Sequence, residues 1–305
     1  MLSVLIPVFN YDIRPLIQIL HRQAQELSPN IEFWILDDAS TDAVLQQQNA
    51  EIIALNAVFY QILPQNVGRA RIRNLLVEKA NYEFLLFMDC DSMPVDDNFL
   101  KNYLAVCQPN RLLCGGRVYQ PQRPTEANLY LHWHYGSQRE AQTAAKRNLQ
   151  PHFSFMTNNF VAPKAIFAEL RFDEILTGYG HEDTIFGLEL AKKNIPILHI
   201  DNPLQHIGIE KADIFIKKTE QAVKNLLVLE KKYGTLPQIR LLAAFYKLEK
   251  YKMVWAVRLF YPVFAFFIKR YLQNQQPRLF WFDVYKLLYL ARIKSLLNTS
   301  KQNGN

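Results

Sequence analysis

Short, largely apolar runs, separated by stretches of helical periodicity, constrain this chain more than any other feature. Leu2–Val8 is the first run, followed by a periodic segment from Pro15 to about Leu27. Ile31–Leu36 stops abruptly at Asp37-Asp38. Val58–Leu63 precedes a helix-like stretch from Gly68 to Ala80, and Glu83–Met88 ends in Asp89-Cys90-Asp91. Strands covered by helices on both faces need apolar side chains at every position, whereas a half-exposed strand would alternate. The pattern predicts an α/β chain with a Rossmann-like open parallel sheet flanked by helices. Polar residues sit directly after the runs: Asn10-Tyr11, Asp37-Asp38, Asn66, and Asp89 with Asp91. Open parallel sheets bind ligands outside the carboxyl ends of their strands, so these groups are expected to share one crevice.

Beyond Arg111 the pattern loosens. The stretch to Pro163 is rich in aromatic residues, His and Arg, with a helix expected to open at Pro163. Gly178-Tyr179-Gly180-His181-Glu182-Asp183 then leads into an amphipathic helix, and a strand-like Ile195–Ile200 leads to Asp201-Asn202-Pro203-Leu204-Gln205-His206. A long helix follows from about Ala212 to Tyr233, with Gly234 and Pro237 as stop signals. With 305 residues, half of them hydrophobic, the chain can build a sizeable core and fits one α/β domain with a smaller appendage. The division is expected near residue 235, giving a catalytic domain over 1–235 and a basic, aromatic-rich helical region over 236–305.

Charge separates those parts. From Arg240 onward there are 12 Lys and Arg against two acids, Glu249 and Asp283. Of the chain's 35 basic and 28 acidic residues, 23 and 26 remain before that point. A near-neutral body with a strongly basic tail points to an anionic surface as partner. Cys90, Cys107 and Cys114 have no zinc or disulfide spacing, which suits a reducing compartment. The opening Leu2-Ser3-Val4-Leu5-Ile6 reads as a core strand, not as a signal peptide.

Each candidate site residue has an ordinary reading beside the chemical one. Asp89 and Asp91, two residues apart at a strand end, suit a hard divalent cation that takes its remaining ligands from phosphate and water. A chain of this length nevertheless carries roughly one such Asp-x-Asp by chance. Cys90 between them reads as a small buried side chain. Asp37-Asp38-Ala39-Ser40-Thr41-Asp42 is either a base- and ribose-binding carboxylate pair or a turn with a helix cap. Glu182-Asp183 is either a catalytic base with its helper or a pair of acids complementing a helix dipole. The glycines before it imply a close approach of backbone to something. His206 is a nitrogen donor for a metal or an ordinary polar residue.

Taken in order, these segments resemble the family 2 glycosyltransferases of the GT-A fold. The resemblance is carried by Val4-Leu5-Ile6-Pro7-Val8-Phe9-Asn10-Tyr11, then Asp37-Asp38, then Asn66-Val67-Gly68-Arg69-Ala70-Arg71-Ile72-Arg73-Asn74. Asp89-Cys90-Asp91 follows, and Phe172 to Asp183 with Asn202-Pro203 and His206 looks like the catalytic segment of galactosyl- and chondroitin-type transferases. Ala39 departs from the pattern, since many relatives carry Gly there. The resemblance spans about Leu2 to Leu229 and implies a mixed, mainly parallel sheet with a C-terminal helical appendage. It implies an inverting, metal-dependent hexosyltransferase acting on a nucleotide diphosphate sugar, with UDP favoured. Pro7, Asn10, Asp38 and Arg73 would line the nucleotide pocket, with Asp38 nearest the base. Asp89 would lie nearer the ribose or just behind the metal's direct ligands, and Cys90 counts with the cofactor-binding residues. Asp91 and His206 would hold Mn²⁺ or Mg²⁺. Asp183 would be the general base, and Glu182 would help hold donor or acceptor hydroxyls. Trp133, His134 and Tyr135, with Arg139 and Glu140, are either an acceptor platform or core packing, and Thr157-Asn158-Asn159 is a candidate for the donor sugar.

The tail refines the partner. Met253–Ile268 is apolar but contains Arg258 and Pro262, and it is shorter than the ~20 residues a spanning helix needs. Leu279–Leu297 again mixes aromatics with Lys286, Arg292 and Lys294. Basic helices with Trp and Phe suit a membrane interface, and no nucleic-acid motif accompanies the charge. The expectation is a peripheral enzyme at the cytoplasmic face of a membrane, acting on a glycan or lipid-linked acceptor in surface polysaccharide or glycolipid synthesis. Two alternatives stand beside it. A nucleotidyltransferase would need a Gly-rich loop after the first strand, where Pro7-Val8-Phe9-Asn10 stands instead. A non-catalytic binding scaffold would have no use for Asp183.

Overall fold

The first apolar run forms β1 (Leu2–Val8), in which every residue except Pro7 is buried. It pairs in parallel with β2 (Ile31–Asp37) on one side. β3 (Val58–Ile62) extends that side, and β4 (Phe84–Met88) lies on the other, both in parallel. The largely apolar run is explained by the two cores it feeds. Val4, Ile6 and Val8 pack with Leu16, Ile17 and Leu20 of α1 (Arg14–Gln25). Leu5 points the other way, into a core with Ile72 and Leu76 of α3 (Arg69–Lys79). β4 repeats the division, with Leu86 and Met88 in the first core and Leu85 and Phe87 in the second. Each fully buried side chain of this kind contributes about 1.5–3 kcal/mol before conformational entropy is counted. Pro7 is tolerated because β4 pairs only with Leu2–Leu5, so beyond that point β1 has no β4 acceptor for the missing N–H to serve.

The computed structural model describes residues 1–27, 30–176, 178–274 and 276–302. α2 (Ala43–Ala50) follows β2, capped by the Asp42 carboxylate, which accepts from the Leu45 amide at 3.0 Å. After β4 come β5 (Ser92–Pro94), α4 (Phe99–Leu104), β6 (Leu112–Cys114) and β7 (Arg117–Tyr119). α5 (Tyr130–Tyr135), α6 (Ala144–Arg147), β8 (Asn159–Pro163), α7 (Glu182–Lys192), β9 (Ile197–His199) and β10 (Leu204–His206) follow. The main sheet has the order β3-β2-β1-β4-β8-β6-β9. β8 runs antiparallel to both β4 and β6, so the sheet is mixed. β10 forms a second small sheet between β5 and β7. A helical segment does open at Pro163, but it is a single 3₁₀ stretch, Lys164–Ala168, and a strand ends at that same residue. Asn159 opens that strand, and all five of its residues are buried because they are paired on both sides.

Two compact units divide the chain. The first comprises Met1–Gln120, Arg139–Ile175 and Glu182–Gly208. The second comprises Pro121–Gln138, Leu176–His181 and the chain from Ile209, whereas the sequence pattern suggested one cut near residue 235. The second unit is helical: α5, α8 (Ala212–Tyr233), α9 (Arg240–Lys250), α10 (Val254–Leu272) and α11 (Leu279–Gln302). Its core gathers Leu131, Phe215, Tyr261, Phe282 and Tyr285. The Gly178-Tyr179-Gly180 segment belongs here, and its close approach is to α8. A Cβ on Gly180, whose φ is +100°, would lie 2.6 Å from the Ala222 Cβ, and Asn225 donates to the Tyr179 and Gly180 carbonyls. Among the described residues, no helix is long and apolar enough to cross a membrane.

Candidate active site

The first unit gathers most of the predicted residues at the carboxyl ends of β1, β2 and β4. The Asp89 amide donates to the Asn158 carbonyl at 3.2 Å, which ties the end of β4 to the start of β8. Its carboxylate is clamped by two guanidinium groups, Arg73 at 2.8 Å and Arg117 at 3.4 Å. Arg117 also pairs with Glu140 at 3.2 Å, and Glu140 accepts a further hydrogen bond from the Tyr119 hydroxyl. A buried chain of this kind is stable only while every charge keeps its partner.

Asp91 points to a different partner. Its Oδ1 lies 3.4 Å from Nδ1 of His206, and its carbonyl accepts from the Ile207 amide. The antiparallel pairing of β5 with β10 sets this up by placing His206 opposite Ser92. Burial would raise the Asp91 pKa, but the His206 contact, with Arg117 and Arg69 nearby, holds it well below the usual carboxylate range. The Tyr119 ring stands edge-on to the imidazole at 5.4 Å. Gly208 leaves room for the acid, since a Cβ there would lie 2.6 Å from the Asp91 Oδ2.

Among the described residues, no group of three or more His, Cys, Asp or Glu side chains is arranged to hold a metal by itself. The Asp91–His206 pair nevertheless fits a divalent ion. The carboxylate oxygen suits a hard ion such as Mn²⁺ or Mg²⁺, and the imidazole nitrogen, a common metal donor, favours Mn²⁺ over Mg²⁺. Neighbouring ligands on an octahedral ion with bonds of about 2.1–2.2 Å lie about 3.0–3.1 Å apart, so the two donors, 3.4 Å apart, would have to close by a few tenths of an ångström to share one. Such an ion takes its remaining ligands from phosphate and water.

Asp183, in the first turn of α7, is held from two directions. The Thr157 hydroxyl donates to its Oδ1 at 2.8 Å. The helix itself is anchored by Phe186, 1% exposed, which stacks on Phe172 at 4.4 Å and sits in a cluster with Phe155, Phe160 and Phe167. Gly187 brings α7 against the backbone at His152, where a Cβ would lie 2.2 Å from the carbonyl oxygen. Burial first, and then the Glu182 charge, push the Asp183 carboxyl up to about 6, against the opposing pull of Thr157 and Arg73. Asp89 also raises it, so the β4 terminus and α7 share one electrostatic environment.

Asp38, Asn10, Pro7 and Cys90 form the other side. Asp38 is buried, and its carboxylate accepts from the Val67 and Gly68 amides at 2.6 and 3.0 Å, fixing the loop that opens α3. Asp37, fully buried, accepts from the Ser40 amide and the Tyr60 hydroxyl, so both carboxylates of the pair hold backbone in place. Asn10 is exposed at φ +50° and bridges to Thr41, while its amide donates to Ser40 Oγ. Cys90 is half-buried, its thiol pKa raised by burial and then by Asp91 and Asp89. Ala39 adopts φ +57°, a left-handed conformation that suits glycine.

Several residues of this network carry no sequence signal. Arg117, Tyr119 and Gly208 lie in unremarkable stretches, and the pairing of β7 with β10 places Tyr119 opposite His206. Asn158 is 3% exposed and neither end of its amide has a protein hydrogen-bond partner. Glu140 is engaged with Arg117 and Tyr119. In the second unit, Tyr135 packs on Phe215 and Phe282 in the core, and His134 stacks on Tyr130 at 5.1 Å beside Trp133.

Comparison with known proteins gives the family and the fold. The family description "Glycosyl transferase family 2" matches residues 3–168. An uncharacterised glycosyltransferase of Haemophilus influenzae is 27% identical over 269 residues, covering 83% of this chain and 98% of its own. Among solved structures, the mannosyltransferase PcManGT of Pyrobaculum calidifontis, in complex with GDP-Man and Mn²⁺, has a TM-score of 0.52 at 16% identity, covering 97% of this chain and 87% of its own. Residues 1–349 of Staphylococcus aureus TarS, in complex with UDP-GlcNAc, have a TM-score of 0.50 at 16% identity, covering 96% and 92%. The mixed, mainly parallel sheet is that of GT-A transferases.

Proposed function

The chain belongs to glycosyl transferase family 2, and on that premise we propose that it is an inverting hexosyltransferase. The donor is a UDP-sugar and the acceptor is a hydroxyl of a glycan or lipid-linked saccharide. The observation that carries this reading is Asp183, a desolvated carboxylate with a pKa near 6, oriented by Thr157 and sharing its environment with Asp89 and Arg73. A general base works best with a pKa close to the working pH, and an acceptor hydroxyl must lose its proton as it attacks. Binding alone needs no such group.

Asp183 takes that proton, while Glu182 at the same helix start holds hydroxyls of donor or acceptor. Attack from the face opposite the diphosphate inverts the anomeric centre. Asp38 and Asn10 bound the nucleotide side, with Asp89 held beside the ribose by Arg73 and Arg117. Asn158, with an amide that satisfies no other protein group, suits the donor sugar's hydroxyls. Asp91 and His206 would hold a divalent ion, which when bound supplies charge stabilisation to the leaving diphosphate.

The test is nucleotide release from a panel of UDP-sugars, with GDP-mannose included, measured with Mn²⁺ and with EDTA. Wild type is expected to turn over one UDP-sugar only when metal is present. Asp91→Asn should lower that rate at least ~100-fold, within the span of a lost electrostatic contact to the leaving group. Metal-independent release, or unchanged release by Asp91→Asn, would overturn the metal assignment.

A further inference from the structure

α10 is apolar over most of its surface, with Arg258, Lys269 and Arg270 its charged residues. Tyr261, Ala265, Ile268 and Leu272 form a buried stripe at helical spacing, part of the core shared with α11. The remaining surface should then be polar if the helix belonged to an isolated globular protein. Most of it is instead built from Trp255, Leu259, Phe260, Val263, Phe264 and Phe267, with Trp255 67%, Leu259 65% and Phe267 62% exposed. The stripes Trp255–Leu259–Val263 and Phe260–Phe264–Phe267 run side by side, so these are neighbours on one face. Scattered exposed apolar residues are ordinary, but a contiguous aromatic face marks an interaction surface.

The charge around that face selects its occupant. α10 contains no acidic residue. Exposed Lys247, Lys250 and Lys252 precede it, and exposed Arg270 stands in its last turn. A second copy of the chain would set basic rims against basic rims, which is unfavourable. An anionic phospholipid surface would meet the rims with opposite charge and the Trp and Phe side chains with the headgroup–acyl boundary. No described helix is suited to crossing the bilayer, so the helix lies in the interface plane. We propose that the outward face of α10, rimmed by Lys250, Lys252 and Arg270, is an anionic-membrane docking surface. This inference rests on the second unit alone and stands or falls independently of the transferase chemistry.

The experiment is flotation of the full chain with phosphatidylcholine vesicles, with and without phosphatidylglycerol, read together with tryptophan fluorescence. Wild type is expected to float with the anionic vesicles, with a blue-shifted emission, and to be released by raised salt. Phe260→Ser with Phe264→Ser should weaken partitioning at least about tenfold while leaving the melting temperature unchanged, because both side chains face outward. Lys250→Glu with Lys252→Glu, at two exposed positions, should weaken binding to anionic vesicles only. Equal flotation of the folded variants would overturn the proposal, as would wild type that ignores both vesicle compositions. A wild-type dimer split by the Phe260→Ser, Phe264→Ser pair, with no vesicle binding, would overturn it in favour of a second copy.

Discussion

The two units break the inside–outside rule in opposite directions. The first buries charge: Arg73 and Arg117 are sunk beside Asp89, and Asp38 lies under the α3 loop. The second exposes apolar surface, with the aromatic face of α10 turned to solvent. Buried charge is tolerable where each group has a fixed partner, which also makes the group rigid and its pKa tunable. Exposed aromatic surface is tolerable where something apolar covers it. The first deviation suits chemistry on a small polar ligand, the second suits adhesion to a broad surface, and neither would serve the other's purpose.

The sharpest way to break this contrast is Asp183→Asn. Turnover should fall by about 10²–10⁴-fold, the worth of a general base, with donor affinity measured by calorimetry largely kept. In wild type the rate should rise with pH through about 6 and level off above it. The variant should lose that inflection, and a near-normal rate would remove Asp183 from the chemistry. The same change should stabilise the fold. The Asp183 pKa is higher folded than unfolded, so its ionisation opposes folding. That cost is absent below about pH 4, grows towards pH 6 and is complete at pH 7, so Asn should gain about 1–3 kcal/mol there in urea melts. Equal melting of the two proteins at pH 7 would mean that the carboxylate is not strained by burial.

Gly187→Ala tests whether the first unit's precision is set by backbone contact. Helix propensity alone predicts a gain of about 1 kcal/mol. The 2.2 Å approach to the His152 carbonyl predicts instead a loss of about 1–3 kcal/mol and a misplaced Asp183. A more stable variant with full activity would show that α7 can shift freely. The smallest expected effect is at Ala39, where φ is +57°. Ala39→Gly should stabilise by about 0.5–1 kcal/mol in thermal melts without changing turnover, and a loss of stability would deny that any strain is held there.

Much of this was legible beforehand because it follows from local rules. The β1, β2 and β4 runs, the stop at Asp89 and the span of α8 all needed only apolar runs, periodicity and stop signals. β8 was missed because Asn159–Pro163 is short, opens with Asn and ends in Pro, and it is a strand only through pairing with β4 and β6. The Gly178-Tyr179-Gly180 signal of close approach was real, but it concerned Ala222 on a helix about forty residues away, a partner no local pattern names. Likewise the units interleave, with Pro121–Gln138 and Leu176–His181 assigned to the helical part by contacts alone.

By itself, then, the sequence determined the α/β class, the strand ends that carry acids and the basic, aromatic character of the tail. Each of these depends on residues within a few positions of one another. The tertiary structure decided which acid does what. Asp89 and Asp91 are two residues apart, yet one meets Arg73 and Arg117 and the other meets His206. Those partners come from α3, β7 and β10. Long-range pairing sets a side chain's electrostatic surroundings, and no reading of neighbours along the chain contains it.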